Sequence, residues 1–239
     1  MPSPSEVRAW YNRHYAARGL GGMRPPAAYS LILDLLEARA GTTLLDVSCG
    51  PGLLLTAARA RGLAAVGVDL SDEAVRVARR FAPAARVAVG QGEHLCFRAA
   101  LFDYVTCLGS LEHFTDMGHG LGEMRRVAKP SARLCIMVPN ARFIGWHVLG
   151  RRGTRQQDIK EELLALEDWR KLFARQGLEV ERVVPDLWHA VKWRYAQGGG
   201  VGRWGTGPLL EAAWRLIPLR WQYQFVFLLR PRSTPPTGP

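Results

Sequence analysis

The sequence is short of cysteine, of lysine and of long apolar runs, and each shortage narrows the possibilities. Its four cysteines form no C-x-x-C pair, and no two histidines stand at metal-ligand spacing, so we expect reduced thiols and no metal. No stretch approaches the ~18 uninterrupted apolar residues of a membrane span. The first residues, MPSPSEVRAW, lack the apolar centre of a signal peptide. These absences predict a cytoplasmic protein without a membrane span.

The formal net charge of +11 is typical of proteins that bind nucleic acid, because lysine and arginine neutralise phosphates. Only four of the 32 basic residues are lysines, however, and the arginines are scattered along the whole chain. A nucleic-acid surface usually clusters its basic residues and interleaves them with aromatic ones. The scattered arginines therefore argue against nucleic acid as a partner. The 239 residues, 48% of them hydrophobic, are enough for one globular unit with a full core.

Apolar runs alternate with helix-like segments along most of the chain. A helix over residues 5–19, with Ser5 as its N-cap, and a second helix precede the alternation. The runs that read as strands are TLLDVSC, AAVGVDL, ARVAVGQG, LFDYVTCLGS, ARLCIMVPN, LEVERVVPD and QYQFVFLLR. Alternation with short connections predicts an α/β fold, a doubly wound and mostly parallel seven-stranded sheet with helices on both faces.

The segment LLDVSCGPG, residues 44–52, ends an apolar strand in a tight turn that passes directly into a helix. Such a turn directs free backbone N–H groups at a ligand, which fits a phosphate, a dinucleotide or another nucleoside. The third glycine of a dinucleotide loop is missing. Asp69, at the tip of the next strand, can accept both ribose hydroxyl protons, which indicates a nucleoside. Asp46, inside the first strand, suits a ligand with a cationic part, because an unpaired buried carboxylate is unfavourable.

Five ordered motifs resemble class I S-adenosylmethionine-dependent methyltransferases, specifically the type 11 group of small-molecule enzymes. They are LLDVSCGPG, VGVDLS, GQGEHLCF, FDYVTCLGSLEHF and EMRRVAKPSARLCIMVPN, and they cover residues 40–140. The resemblance implies a Rossmann-like sheet with an antiparallel last strand, S-adenosylmethionine as cofactor and S-adenosylhomocysteine as product. We divide the chain into a helical segment over the cofactor site, 1–39, a methyltransferase domain, 40–230, with insertions at 141–165 and 187–220, and a disordered tail, 231–239.

The resemblance also implies which residues contact the cofactor. In the N-terminal segment, Tyr11 or Tyr15 would stack on the sulfonium, and Arg24 would bind the methionine carboxylate. The remaining cofactor residues would be Asp46, Ser48, Gly50, Gly52, Asp69, Leu70, Gln91, Gly92, Glu93 and Leu108. Ser48 stands where the family usually has glycine, so the cofactor should pass further from that backbone or gain a hydroxyl contact.

Methyl transfer is an in-line displacement, for which a protein positions the acceptor, excludes water and, for an oxygen or nitrogen nucleophile, removes a proton. His113, just past the fourth strand, is the candidate base, and capping or packing is its alternative role. The two insertions are rich in tryptophan and predict an aromatic or apolar acceptor pocket, or else a dimer interface or satellite core. The candidate acceptor residues are Trp146, His147, Trp188 and His189.

Two other functions remain open. The charge suggests an RNA-directed methyltransferase, although the segment LGSLEHF lacks the Asn/Asp-Pro-Pro-aromatic motif that holds a flipped base. The other alternative is a partner subunit that binds the cofactor without turnover. The expected oligomeric state is a monomer or a homodimer.

Overall fold

The computed structural model describes residues 3–19, 23–24, 26–146, 153, 159, 161–186, 188 and 207–232. The strands are β1 Thr43–Val47, β2 Ala64–Asp69, β3 Arg86–Val89, β4 Phe102–Leu108, β5 Ala128–Pro139, β6 Leu178–Pro185 and β7 Gln224–Pro231. The helices are α1 Pro4–Arg18, α2 Pro26–Leu35, α3 Leu53–Ala60, α4 Asp72–Phe81, α5 Met117–Val127, α6 Leu166–Arg175 and α7 Gly207–Leu216. Short 3₁₀ helices span Leu111–His113 and Leu219–Trp221. No helix in this described part combines the length and apolar content needed to cross a bilayer.

The seven strands form one sheet in the order β3-β2-β1-β4-β5-β7-β6. The pairs from β3 across to β5 are parallel, and β7 runs antiparallel between β5 and β6. This confirms the predicted mostly parallel sheet with an antiparallel last strand. The strand order reverses between β1 and β4, and ligands of open α/β sheets bind in the crevice beyond the strand ends at such a point.

Alternate residues of β1 pack into the two layers of helices that cover the sheet. Leu45 lies in a cluster with Trp169 and Phe173 of α6. Leu44 lies in the opposite cluster with Leu33 of α2 and Leu54 of α3. Because both faces are covered, both leucines are fully buried, which explains the nearly continuous apolar run in this strand.

Both ends of the described chain extend beyond the predicted boundaries. Helix α1 begins earlier than predicted, because Ser3 and not Ser5 is its N-cap: the Ser3 hydroxyl accepts from the Glu6 N–H at 3.3 Å, and a Glu6 carboxylate oxygen accepts from the Ser3 N–H at 2.6 Å. At the other end, Pro231 is still part of β7, paired with Leu178. The predicted tail thus overlaps the strand by one residue, and 233–239 lie outside the described residues.

We predict that Gly67→Ala destabilises the fold. A Cβ at Gly67 in β2 would lie 2.6 Å from Leu55 Cδ1 and 2.7 Å from Cys49 Sγ, so the layer above the sheet would have to shift. The free energy of unfolding from urea titration should fall by about 1–3 kcal/mol. Gly122→Ala in α5 is the matched control, because a Cβ there would lie 3.6 Å from Gln176 Oε1, an ordinary contact, and alanine favours a helix. Equal stability of the two variants would contradict this account of the close packing.

Candidate functional site

A cavity of about 980 Å³, counted with its open mouth, lies where the strand order reverses, beyond the ends of β1, β2 and β4. Its walls come from α1, the loop after β1, the end of β2, the loop after β3 and the segment after β4. The described lining residues are Val7, Tyr11, Tyr15, Ser48, Asp69, Leu70, Gly90, Gln91, Gly92, Glu93, His94, Ser110, His113, Phe114, Thr115, Asp116 and His119.

The loop after β1 takes left-handed backbone conformations at three positions. Gly50 has φ +51°, Gly52 has φ +80° and Ser48 has φ +60°. Glycine adopts such angles without a penalty, but a residue with a Cβ does not. A glycine at position 48 would take this angle without a Cβ penalty, whereas Ser48 takes it under strain.

Asp69, at the end of β2, holds the loop in place. One carboxylate oxygen accepts from the Gly50 N–H and the other from the Ser71 N–H, both at 2.8 Å. The side chain is 6% exposed and lines the cavity. Burial raises its pKa to about 6, against the lowering effect of the two backbone hydrogen bonds. Each carboxylate oxygen has further acceptor capacity, so Asp69 can bind hydroxyl groups of a ligand as well.

Two tyrosines of α1 cover the loop from above. The rings of Tyr11 and Tyr15 are nearly parallel, with centroids 6.3 Å apart. The Tyr15 hydroxyl lies only 3.0 Å from the position that a Cβ on Gly50 would take, so the absence of a side chain at Gly50 makes this approach possible. Burial is the main reason that the pKa of each tyrosine is raised, and nearby carboxylates add to it. Both rings remain neutral and can face a cation.

Polar contacts tie α1 to the N-terminus of α4. Arg8 pairs with Asp72, and the amide of Asn12 also donates to Asp72, at 3.2 Å. The Ser71 hydroxyl donates to the Asn12 side-chain oxygen at 2.6 Å. These contacts hold α1 in its position across the cavity.

The loops after β3 and β4 pack against each other through an aromatic ring. A Cβ on Gly92 would lie 2.3 Å from the ring of Phe114, and one on Gly120 would lie 2.5 Å from it, so the two glycines make room for the ring. Glu93 accepts from the Thr115 N–H at 2.9 Å. This contact places Gln91, Gly92 and Glu93 in the cavity wall, beside residues that the sequence analysis did not select: Val7, Gly90, His94, Ser110, Phe114, Thr115, Asp116 and His119.

The charge of the cavity is opposite to that of the whole chain. Asp69, Glu93 and Asp116 contribute carboxylates, and no arginine or lysine occurs among the described lining residues. A cationic ligand is favoured in such a site, whereas a phosphate would be repelled.

Five predicted cofactor residues do not line the described cavity. One is Gly50, whose N–H donates to Asp69. Arg24 does not offer a free guanidinium, because both oxygens of Asp186 accept from it, at 2.9 and 2.6 Å. The Asp46 carboxylate accepts from the Thr106 hydroxyl at 2.7 Å, and burial raises its pKa to about 7. A Cβ on Gly52 would lie 3.2 Å from that of Ala78, so this glycine serves the packing of α3 on α4. Leu108 packs into the layer that contains α2 and α3.

The predicted acceptor residues are not brought together in the described part of the chain. Trp146 packs edge-on against Phe143 and Tyr223, and its indole N–H donates to the Asn140 carbonyl at 2.9 Å. It belongs to a satellite aromatic cluster and not to the described cavity wall. The Trp188 N–H donates to Asp186 at 3.1 Å. His147 and His189 lie outside the described residues.

His113 lies at the cavity wall, at the end of the first 3₁₀ helix. Its side chain is 4% exposed, and its Nε2 is 3.9 Å from a carboxylate oxygen of Glu112. Glu112 is 1% exposed, and burial raises its pKa to about 8. The segment after β4 therefore places an imidazole and a buried carboxyl side by side.

Comparison with known proteins identifies the domain. Residues 45–136 match the family described as "Methyltransferase domain". A ubiquinone biosynthesis O-methyltransferase from Idiomarina loihiensis is 32% identical over 164 residues, which cover 60% of this chain and 66% of the relative. For another curated relative, the matched part is 34% of the relative's own length. The chain thus spans about a third to two thirds of the length of these relatives.

Two solved structures share the fold over most of the chain. The [4+2]-cyclase SpnF superposes with a TM-score of 0.69 at 17% identity and covers 98% of each chain. A geranyl diphosphate C-methyltransferase from Streptomyces coelicolor A3(2), solved with Mg²⁺, geranyl diphosphate and S-adenosyl-L-homocysteine, superposes with a TM-score of 0.62 at 16% identity, over 86% of this chain and 80% of its own. The fold alone does not fix the reaction, since one neighbour is named a cyclase. The family match confirms that the chain carries a methyltransferase domain, as the five motifs predicted.

We predict that Ser48→Gly stabilises the protein by up to about 1 kcal/mol. Relief of ~1–2 kcal/mol of left-handed strain should exceed the extra chain entropy of glycine in the unfolded state. The midpoint of urea unfolding measures the change. Ser48→Ala is the control, because it removes the hydroxyl but keeps the Cβ and should give no gain. If the two variants were equally stable, backbone strain at this position would be refuted.

Proposed function

We propose that this chain, through its methyltransferase domain, transfers the methyl group of S-adenosylmethionine to an oxygen, nitrogen or carbon nucleophile of a small acceptor. The observation that carries the proposal is the tyrosine-covered cavity beside Asp69, whose described lining residues include three carboxylates and no arginine or lysine. A nucleoside with a sulfonium matches this wall, because its ribose needs acceptors and its positive charge is favoured by carboxylates and aromatic faces.

In the proposed complex the ribose hydroxyls donate to Asp69, next to Leu70. The adenine lies against the loop Gln91–Glu93, and the sulfonium lies below Tyr11 and Tyr15. The cofactor's methionine carboxylate needs donors other than Arg24, since that guanidinium is engaged by Asp186. Backbone N–H groups of the loop after β1 are the nearest alternative, because the turn directs them toward the ligand. Asp46 acts indirectly, by fixing the strand that precedes the loop.

The acceptor end of the site is proposed to lie near Tyr11, Ser110 and His113. His113 is the candidate to take a proton from a hydroxyl or amine acceptor as the methyl group is transferred. A relative named a ubiquinone biosynthesis O-methyltransferase favours a hydroxyl on an aromatic acceptor. Of the acceptor residues predicted in the tryptophan-rich insertions, Trp188, His147 and His189 stay in the proposal as parts of an apolar acceptor pocket.

The same cavity argues against one of the two alternative functions, a nucleic-acid substrate. A nucleic-acid substrate would bring phosphates towards Asp69, Glu93 and Asp116, which would repel them. A partner subunit without turnover would bind the cofactor equally well, so product formation with a panel of phenols and amines separates it from the enzyme. A small-molecule acceptor, a cytoplasmic location and a monomer or homodimer complete the proposal.

Asp69→Asn should weaken the binding of S-adenosylhomocysteine. The substitution keeps one acceptor for the loop N–H groups but removes the charge that strengthens the ribose hydrogen bonds, so we expect a loss of about 1.5–3 kcal/mol, or about 10- to 150-fold in Kd. Isothermal titration calorimetry gives the affinity. Asp34→Asn, an exposed carboxylate on α2 that pairs with Arg61, is the control and should bind like the parent protein. Unchanged affinity in folded Asp69→Asn would remove Asp69 from the site.

The affinity for S-adenosylhomocysteine should also depend on pH. The pKa of Asp69 is raised to about 6 in the unliganded protein, and only the ionised form accepts both ribose hydroxyls. Affinity should therefore be constant above about pH 7 and fall as the pH is lowered through 6, approaching about tenfold per unit below it. Calorimetry from pH 5 to 8 tests this. Asp69→Asn should lack this dependence, and an identical profile in that variant would assign the titration to another group.

A further inference from the structure

A second group of polar side chains lies beside the cavity. Glu112, His113 and Glu161 each offer one ligand atom, and the three atoms all lie within 4.8 Å of one another. Glu112 and His113 belong to the 3₁₀ helix after β4, whereas Glu161 comes from a segment 48 positions later in the chain. Bonds of about 2.0–2.2 Å place two ligands of one ion about 3–4 Å apart, so ligand atoms within 4.8 Å need only small side-chain rotations to surround one.

The buried carboxylate of Glu112 points to a missing partner. Its Oε2 is buried and accepts no hydrogen bond from the described residues. A carboxylate in such a place is unfavourable without a counter-charge. Among the ion pairs between described residues, Glu112 takes part only in the one with His113, at 3.9 Å, and in none with a lysine or arginine.

The backbone holds the third residue in position. The Glu162 N–H donates to the Glu112 carbonyl at 2.9 Å, and the Ala141 N–H donates to the Leu164 carbonyl at 3.1 Å. These contacts fasten the segment of Glu161 to the 3₁₀ helix and to the chain just past the end of β5. The cluster is therefore built by the fold and does not depend on a chance meeting of long side chains.

We infer that Glu112, His113 and Glu161 bind a divalent cation. The mixed set of carboxylate oxygens and an imidazole nitrogen suits first-row metals such as Mn²⁺ or Zn²⁺, and the two carboxylates balance the charge of the ion. Three protein ligands leave further positions for water or for another ligand.

Cation binding can be tested without the reaction, but a bound cation would affect the proposed reaction through His113. His113 also lines the cavity, so a bound cation would lie at the wall of the acceptor end, where it could polarise an acceptor hydroxyl; this use rests on the proposed function. With its Nε2 on a cation, His113 could not take a proton at that nitrogen. The ligand role and the base role of His113 therefore exclude each other.

Titration of the full chain with MnCl₂ tests the inference, with free Mn²⁺ followed by electron paramagnetic resonance. We expect one saturable site per chain, weakened at least about tenfold by Glu161→Gln and by Glu112→Gln. Glu162→Gln is the matched control, because Glu162 is the exposed neighbour of Glu161 and should leave Mn²⁺ affinity unchanged. A second control is His119→Gln, which alters the contact between the rings of His94 and His119 in the cavity wall. It should bind Mn²⁺ like the parent protein.

The site would be overturned by any of three results: no saturable binding, parental affinity in folded Glu161→Gln, or loss of binding in His119→Gln alone. Circular dichroism confirms that each variant is folded. Titration of the same samples with S-adenosylhomocysteine, without metal, measures the cofactor site separately. Failure of the cation site and failure of the proposed function can then be told apart.

Discussion

The hydrogen bonds of the Asp69 carboxylate are the constraint on which the rest of the site depends. This one side chain accepts from Gly50 in the loop after β1 and from Ser71 at the start of α4. It thereby joins the ends of two neighbouring strands at the point where the strand order reverses. The left-handed turn of the loop, including the strained Ser48, is kept because Asp69 and the Val68 carbonyl hold its N–H groups.

The second constraint is the lid formed by α1. Asp69 accepts from the Ser71 N–H, and the Ser71 hydroxyl donates to Asn12 of α1. The same residues that fix the strand ends therefore also fix the position of α1. The helix in turn places two tyrosines over a cavity whose described wall holds three carboxylates and no arginine or lysine. The chain has a net charge of +11, but the negative charge of the cavity determines which ligand it favours. Scattered arginines are on this account a property of the surface and not of the site.

The sequence predicted the mostly parallel sheet and the alternation of strands and helices, because these follow from local periodicity. Nine of the predicted site residues also line the cavity, because helix α1 and short segments at the strand ends place them there. Contacts between distant segments were not predictable. Arg24 looked free in the sequence, but it is bound by Asp186, 162 positions away. Trp146 was assigned to an acceptor pocket, but it packs on Tyr223. Glu161 carried no signal, because it meets Glu112 only through the fold of the segment after β5.

A crystal structure of the full chain with S-adenosylhomocysteine tests the central claim most directly. We predict that the ribose hydroxyls bind the Asp69 carboxylate, that the adenine lies against Gln91 and Gly92, and that the sulfur faces the tyrosines of α1. A complex in which the ligand lies away from Asp69, or in which the cavity stays empty at saturating ligand, would contradict it.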